Sequence, residues 1–135
     1  MPRETSGAGW VRGWLNVYIP LPAGTGAAEI ATDIIVGHKV TIEAVDVRVA
    51  VAGTGAGASR TLRVLKGAST VVATGTVTLA GTDTLGEPVT MTVTPADATF
   101  LDGDVLTVDF ASGGTAFTAG ALNMAIRYRT RMQQL

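Results

Sequence analysis

The chain has 135 residues, 47% of them hydrophobic and only 16% charged, with a formal net charge of −1 and no cysteine. That length predicts one domain with a core of its own, and the missing cysteines exclude a disulfide framework and a thiolate metal site. A near-neutral chain has no general attraction for nucleic acid and little charge repulsion to oppose self-association. The longest uninterrupted apolar run, Val49–Ala52, is far short of a membrane helix or a secretory leader. A product made in the cytoplasm, with no membrane partner, is therefore expected.

In chain order, Met1–Gly13 (MPRETSGAGWVRG) has glycine, proline and charges but no periodicity, and reads as an N-terminal arm ahead of a single domain over 14–135. Its end holds both tryptophans, Trp10 and Trp14, with Arg12 between them. Tryptophan is enriched at binding hot spots, so the pair could dock on a neighbour; the competing reading is that they cap the domain's own core. Alternation then predicts strands over Trp14–Leu21, ended by Pro20 and Pro22, and over Glu29–Val36.

Lys39–Ala52 is the strongest strand. Val45, Val47, Val49 and Val51 recur at every second position, which places four β-branched side chains on one face of a central strand. Before them Val40, Ile42 and Ala44 hold the opposite phase, so the switch at Ala44–Val45 predicts a β-bulge or a strand serving two different contacts. Further strands are predicted over Arg60–Lys66, Thr70–Leu79 with a bulge at Gly75, Gly86–Thr94, Asp104–Ala111 and Ala121–Arg131. Abundant glycine and threonine, scarce helix formers and turn signals between short strands predict an all-β, jelly-roll-like antiparallel β-sandwich of about eight strands.

Candidate chemistry is thin. The glycine-rich Gly53–Ala58 (GTGAGA) lacks the G-K-[ST] ending of a phosphate loop and the following helix, and reads as a hairpin loop. Asp102-Gly103-Asp104 could offer oxygen ligands to a hard cation, but Asp-Gly before an alternating strand is more economically a turn. His38 is the sole histidine and has no companion for a metal site. No serine sits in a nucleophile elbow, and the scattered acids select no catalytic pair. The reading is of a non-enzyme with no catalytic, cofactor-binding or metal residues.

Charge is unevenly spread: between Gly67 and Ile126 there are six acids and no Lys or Arg, whereas Arg127, Arg129 and Arg131 share one face of the last strand. Those arginines could guard an edge strand against aggregation, or form a subunit or partner contact facing Asp102, Asp104 or Asp109. With Trp10, Arg12 and Trp14 they are the candidate contact residues.

Val47–Val64 (VRVAVAGTGAGASRTLRV) and Thr99–Tyr128 resemble small β-sandwich proteins encoded among tailed-bacteriophage virion genes, namely capsid decoration proteins and head-fibre or spike bases. The likeness lies in a valine-rich strand running into a Thr/Gly/Ala loop, an F-x-x-G-D-x-L-x-V turn-strand unit at Phe100–Val108, and a GGT-x-F-T-A-G loop before an amphipathic last strand. The resemblance implies a structural protein of the virion, commonly trimeric, located on the outer surface of the head, with the major capsid protein lattice as partner and no catalytic residues. The alternative is a receptor- or carbohydrate-binding module of a tail fibre or baseplate, using the loops Gly53–Ser59 and Ser112–Gly120.

Overall fold

The structure, a computed structural model, describes residues 10–22, 24–54, 58–79 and 83–131, with side chains at all of these except positions 10, 31–35, 54 and 131. The elements are β1 (Trp10–Pro20), β2 (Ala28–Ile35), β3 (Val40–Thr54), β4 (Ala58–Lys66), β5 (Thr70–Leu79), β6 (Pro88–Val89), β7 (Thr92–Val93), a 3-10 turn (Pro95–Asp97), β8 (Thr99–Phe100), β9 (Val105–Phe110) and β10 (Ala119–Arg131). They build two antiparallel five-stranded sheets, one in the order β1-β10-β3-β6 with β8 also on β3, the other β2-β9-β4-β5-β7. This is the all-β sandwich that the alternation predicted. β1 begins at Trp10, before the expected start at Trp14, because Trp10–Gly13 continue the ladder with Tyr128–Arg131. The remainder of the expected arm, residues 1–9, lies outside the described residues.

The core is the set of inner faces. Leu15, Val17 and Ile19 of β1 lie opposite Ile126, Met124 and Leu122 of β10, which lie in turn opposite Val45, Val47 and Val49 of β3. Leu62 and Val64 of β4, Val77 and Leu79 of β5 and Leu106, Val108 and Phe110 of β9 answer them from the second sheet. Each such aliphatic side chain stabilises the fold by roughly 1.5–3 kcal/mol relative to exposure, so the two inner rows fix the register of both sheets.

The phase switch in β3 is a β-bulge. Arg127 pairs with Ala44 and Tyr128 with Ile42, leaving Glu43 as the extra residue. Ile42 and Val45, three positions apart, thereby both face the core. A second irregularity lies further along, where Leu122 pairs with Val49 and Ala121 with Val51. Beyond it Val51 is 48% exposed, which corrects its expected place in the buried valine row.

The single strand expected over Gly86–Thr94 is two short ones. β6 pairs with β3 in the first sheet and β7 with β5 in the second, so this segment crosses one open side of the sandwich. Its apolar residues still alternate correctly, and Val89, Met91 and Val93 pack on the core. Gly75 is explained by this crossing rather than by a bulge. The register at Leu62↔Gly75 is regular, and the shift lies instead at Val64/Leu65. A Cβ on Gly75 would lie 2.3 Å from the Thr90 carbonyl oxygen, so glycine is what lets the crossing segment approach.

Arg60 is the largest polar side chain in the interior, only 1% exposed. Among the described residues no carboxylate meets it. Its guanidinium donates to the carbonyls of Gly24 at 2.8 Å, Gly26 at 2.6 Å and Ala111 at 2.7 Å, and lies 5.5 Å from the centre of the Phe110 ring. The planar fork ties the connection between β1 and β2 to the end of β9, which a single ammonium could not do. Replacing Arg60 with Met or Lys should cost about 2–3 kcal/mol through the lost charge-assisted hydrogen bonds. The measurement is a denaturant titration, in which the midpoint falls while the slope is unchanged.

Candidate functional site: the outer face of the β1-β10-β3 sheet

Alternation that sends Leu15, Val17 and Ile19 inward sends Arg12, Trp14, Asn16 and Tyr18 outward on β1. Trp14 is 52% and Tyr18 58% exposed, so Trp14 does not cap the core as one reading had it. The next strand contributes Arg127 and Arg129 to the same face. Arg12 lies directly opposite Arg129, and Trp14 opposite Arg127. The Arg127 guanidinium sits 5.7 Å from the centre of the Trp14 ring, within cation–π range.

Two guanidiniums in register across a sheet repel, and the bulge supplies the compensation. Glu43, with its side chain only 17% exposed, accepts from Arg12 Nε at 3.0 Å. Its carboxylate also lies 3.9 Å from Arg127 Nε and 3.8 Å from Arg129 Nη1. Three cations around one carboxylate leave this end of the face basic. The arginines therefore guard no edge: β10 lies between β1 and β3, and β1 is the edge strand. Nor is their acid within the chain Asp102, Asp104 or Asp109. Asp109 makes a bidentate pair with Arg63 across β9 and β4, at 2.9 and 2.7 Å, and Asp104 accepts from the Leu101 amide to shape its own turn. The Arg63 guanidinium is held above its ordinary pKa chiefly by its hydrogen bond to Asp109. The side chains of Trp10 and Arg131 lie outside the described residues; their backbones face each other at the end of the β1–β10 ladder.

Towards the other end, Asn16, Tyr18, Asp46, Arg48, Asn123 and Ala125 border a shallow open groove of about 480 Å³. Its charges are matched, with Arg48 Nε 3.1 Å from Asp46. A smaller cavity of about 220 Å³ opens between the sheets, lined by Leu15, Val40, Ile42, Leu106 and Ile126 with His38 and Tyr128 beside it. Its lining is apolar and brings no acid and base together. Among the described residues, no group of three or more metal-ligating side chains forms, and no helix is long and apolar enough to cross a membrane. Gly103 has φ +90°, and the Asp102–Asp104 segment is a turn before β9. Phe117, the one aromatic of the Ser112–Gly120 loop, is 2% exposed and packs edge-on against Phe110 at 6.2 Å, so it offers no ring to a ligand.

Sequence reasoning found Arg12, Trp14, Arg127 and Arg129 but missed Glu43, Arg60 and the Arg63–Asp109 pair. The phase switch was a signal for Glu43, since an extra residue in a strand re-aims its side chain. The alternation was a signal for Arg60 as well, since it lies in phase with Leu62 and Val64 and so on the inward face of β4.

No protein-family model matches this chain, and no curated protein does. Among solved structures, a chain of the cyanophage Pam1 capsid asymmetric unit matches 96% of this chain and 91% of its own length at 14% identity, with a TM-score of 0.58. A chain of empty-head turnip yellow mosaic virus matches 100% of this chain and 87% of its own at 14% identity and TM-score 0.44. A chain of the Bacillus endospore appendages matches 92% and 91% at 21% identity and TM-score 0.43. The first of these shares the fold of this chain.

Glu43→Gln should remove the carboxylate that Arg12, Arg127 and Arg129 share and cost about 1 kcal/mol at low salt. Added salt screens their repulsion, so thermal melts should show the variant recovering relative to the unmodified chain as salt rises.

Proposed function

We infer that this chain is a non-enzymatic structural protein of a tailed-phage virion: a decoration protein that binds the outside of the head as a homotrimer on the major capsid protein lattice and reinforces it.

 The carrying observation is the shared sandwich fold: nearly the whole chain superposes on a chain of a phage capsid asymmetric unit. Three further features support the reading. The strand order β1-β10-β3-β6 against β2-β9-β4-β5-β7, in which successive strands change sheet everywhere except between β4 and β5, supports a jelly-roll-like reading. Trp14 and Tyr18 stand exposed beside a cluster of arginines, the residue types that dominate interface energetics. The polar side chains of the core serve structure: Arg60 is spent on carbonyls and Asp109 on Arg63. Residues 1–9, the rest of the expected arm, are proposed to contact the shell or a neighbour. The tail-fibre alternative loses support from the buried Phe117, which leaves the Ser112–Gly120 loop without a stacking surface for a sugar.

The test is co-sedimentation of the purified chain with head shells assembled from the major capsid protein of the same genome. Saturable binding and a raised shell melting temperature are expected, and a chain that stays in the supernatant overturns the reading. Trp14→Ala should weaken that binding while leaving the melting temperature of the free protein nearly unchanged, since a half-exposed ring contributes little to the fold.

A further inference from the structure

Asparagine is poorly suited to the interior of a strand, and this chain has only two, Asn16 and Asn123. Both stand exposed in the middle of long strands, on the outer face of the first sheet. Two rows of side chains cross β1, β10 and β3 there. One row is Asn16, Ala125 and Asp46, and the next is Tyr18, Asn123 and Arg48. Successive rows on one face lie about 7 Å apart, and the columns on β1 and β3 about 10 Å apart. Between those columns Ala125 is a small side chain, and the space above it opens into the groove of about 480 Å³. Both asparagines of the chain therefore line one groove.

The lining is polar without being charged overall. Arg48 Nε donates to Asp46 at 3.1 Å, and Arg48 Nη1 donates to the Gly86 carbonyl at 3.3 Å. These contacts hold the guanidinium in place and neutralise it, so neither an anion nor a cation is favoured at this wall. Guanidinium donors and carboxylate acceptors stand side by side there. Each asparagine amide likewise offers donors and an acceptor together. A hydroxyl is also both donor and acceptor, so a neutral ligand with hydroxyls on neighbouring carbons matches this lining. Tyr18, 58% exposed, adds an aromatic ring. The negative face of such a ring attracts the C–H face of a sugar. The stacking surface that the Ser112–Gly120 loop lacks is thus present on the sheet.

We propose that this groove binds a neutral glycan. Tyr18 stacks on a sugar ring, while Asn16, Asn123 and the Arg48–Asp46 pair hydrogen-bond its hydroxyls. The cationic end of the face, around Glu43, is not part of the site. The proposal goes beyond the shell-binding reading and does not rest on it.

The experiment is a nuclear magnetic resonance titration of the nitrogen-15-labelled full chain. Two asparagines and two glutamines give few side-chain amide signals, so those of Asn16 and Asn123 can be followed directly. The neutral probes are maltohexaose, cellohexaose, mannohexaose and chitohexaose, with a galacturonic acid hexamer as the charged control. At least one neutral probe should shift both asparagine amides saturably. Tyr18→Ala and Asn123→Asp should each weaken that binding about tenfold. Both positions are exposed, so circular dichroism melts of the variants should match that of the unmodified chain. No saturable shift with any neutral probe, shifts with the charged hexamer alone, or variants that bind as well as the unmodified chain would each overturn the proposal. If the unmodified chain takes no sugar while Tyr18→Ala loses its binding to shells, the groove is a protein contact and the glycan assignment fails. Sugar binding by a chain that does not sediment with shells would leave this proposal standing and overturn the decoration reading, so the two failures are distinguishable.

Discussion

Strand β3 carries one residue more than β10 between Ile42 and Val45, and the rest of the first sheet is arranged around that extra residue. Without the bulge, Ile42 and Val45 would lie on opposite faces, and one of them would be lost from the core. With it, both are buried, and Glu43 is turned into a cluster of arginines that would otherwise face one another across β1 and β10. Local backbone irregularity here serves two purposes at once. It keeps the hydrophobic rows continuous inside and neutralises part of a cationic surface outside.

The second sheet depends on buried polar chemistry of another kind. Asp109 is tolerable in the interior because Arg63 meets it with two hydrogen bonds in register. Arg60 has no counter-ion among the described residues and is held by carbonyl dipoles and an aromatic face. Those carbonyls belong to connections rather than strands, so the guanidinium orders the chain between β1 and β2 from within. At the opposite side of the sandwich, the segment from Pro88 to Val93 leaves one sheet and joins the other, covering the gap between them with Val89, Met91 and Val93. Its passage over Gly75 shows how a small residue in one strand fixes the path of another.

The outer face of the first sheet is consequently uneven along its strands. Arginines gather around Glu43 where β1 begins, and the paired charges and amides of the groove lie further along. An 11-residue edge strand with unpaired backbone groups is a liability unless it is charged or covered. Arg12 supplies charge.

The sequence by itself determined the sandwich class, most of the strands, the inner valine and leucine rows and the existence of an irregularity near Ala44. These follow from alternation with period two, which is local and survives without knowledge of partners. It also placed Arg12, Trp14, Arg127 and Arg129 among the contact candidates, because both tryptophans lie close together near the start of the chain and three of the ten basic residues share one face of the last strand. Only the tertiary structure decided what those residues meet. That Glu43 rather than Asp102, Asp104 or Asp109 answers the arginines depends on which strands are neighbours, and β3 and β10 are separated by most of the chain. The division of Gly86–Thr94 between two sheets, the exposure of Val51 and the carbonyl partners of Arg60 have the same origin. Each is set by a cross-strand register or a distant carbonyl, and a side-chain pattern along one strand carries no record of either.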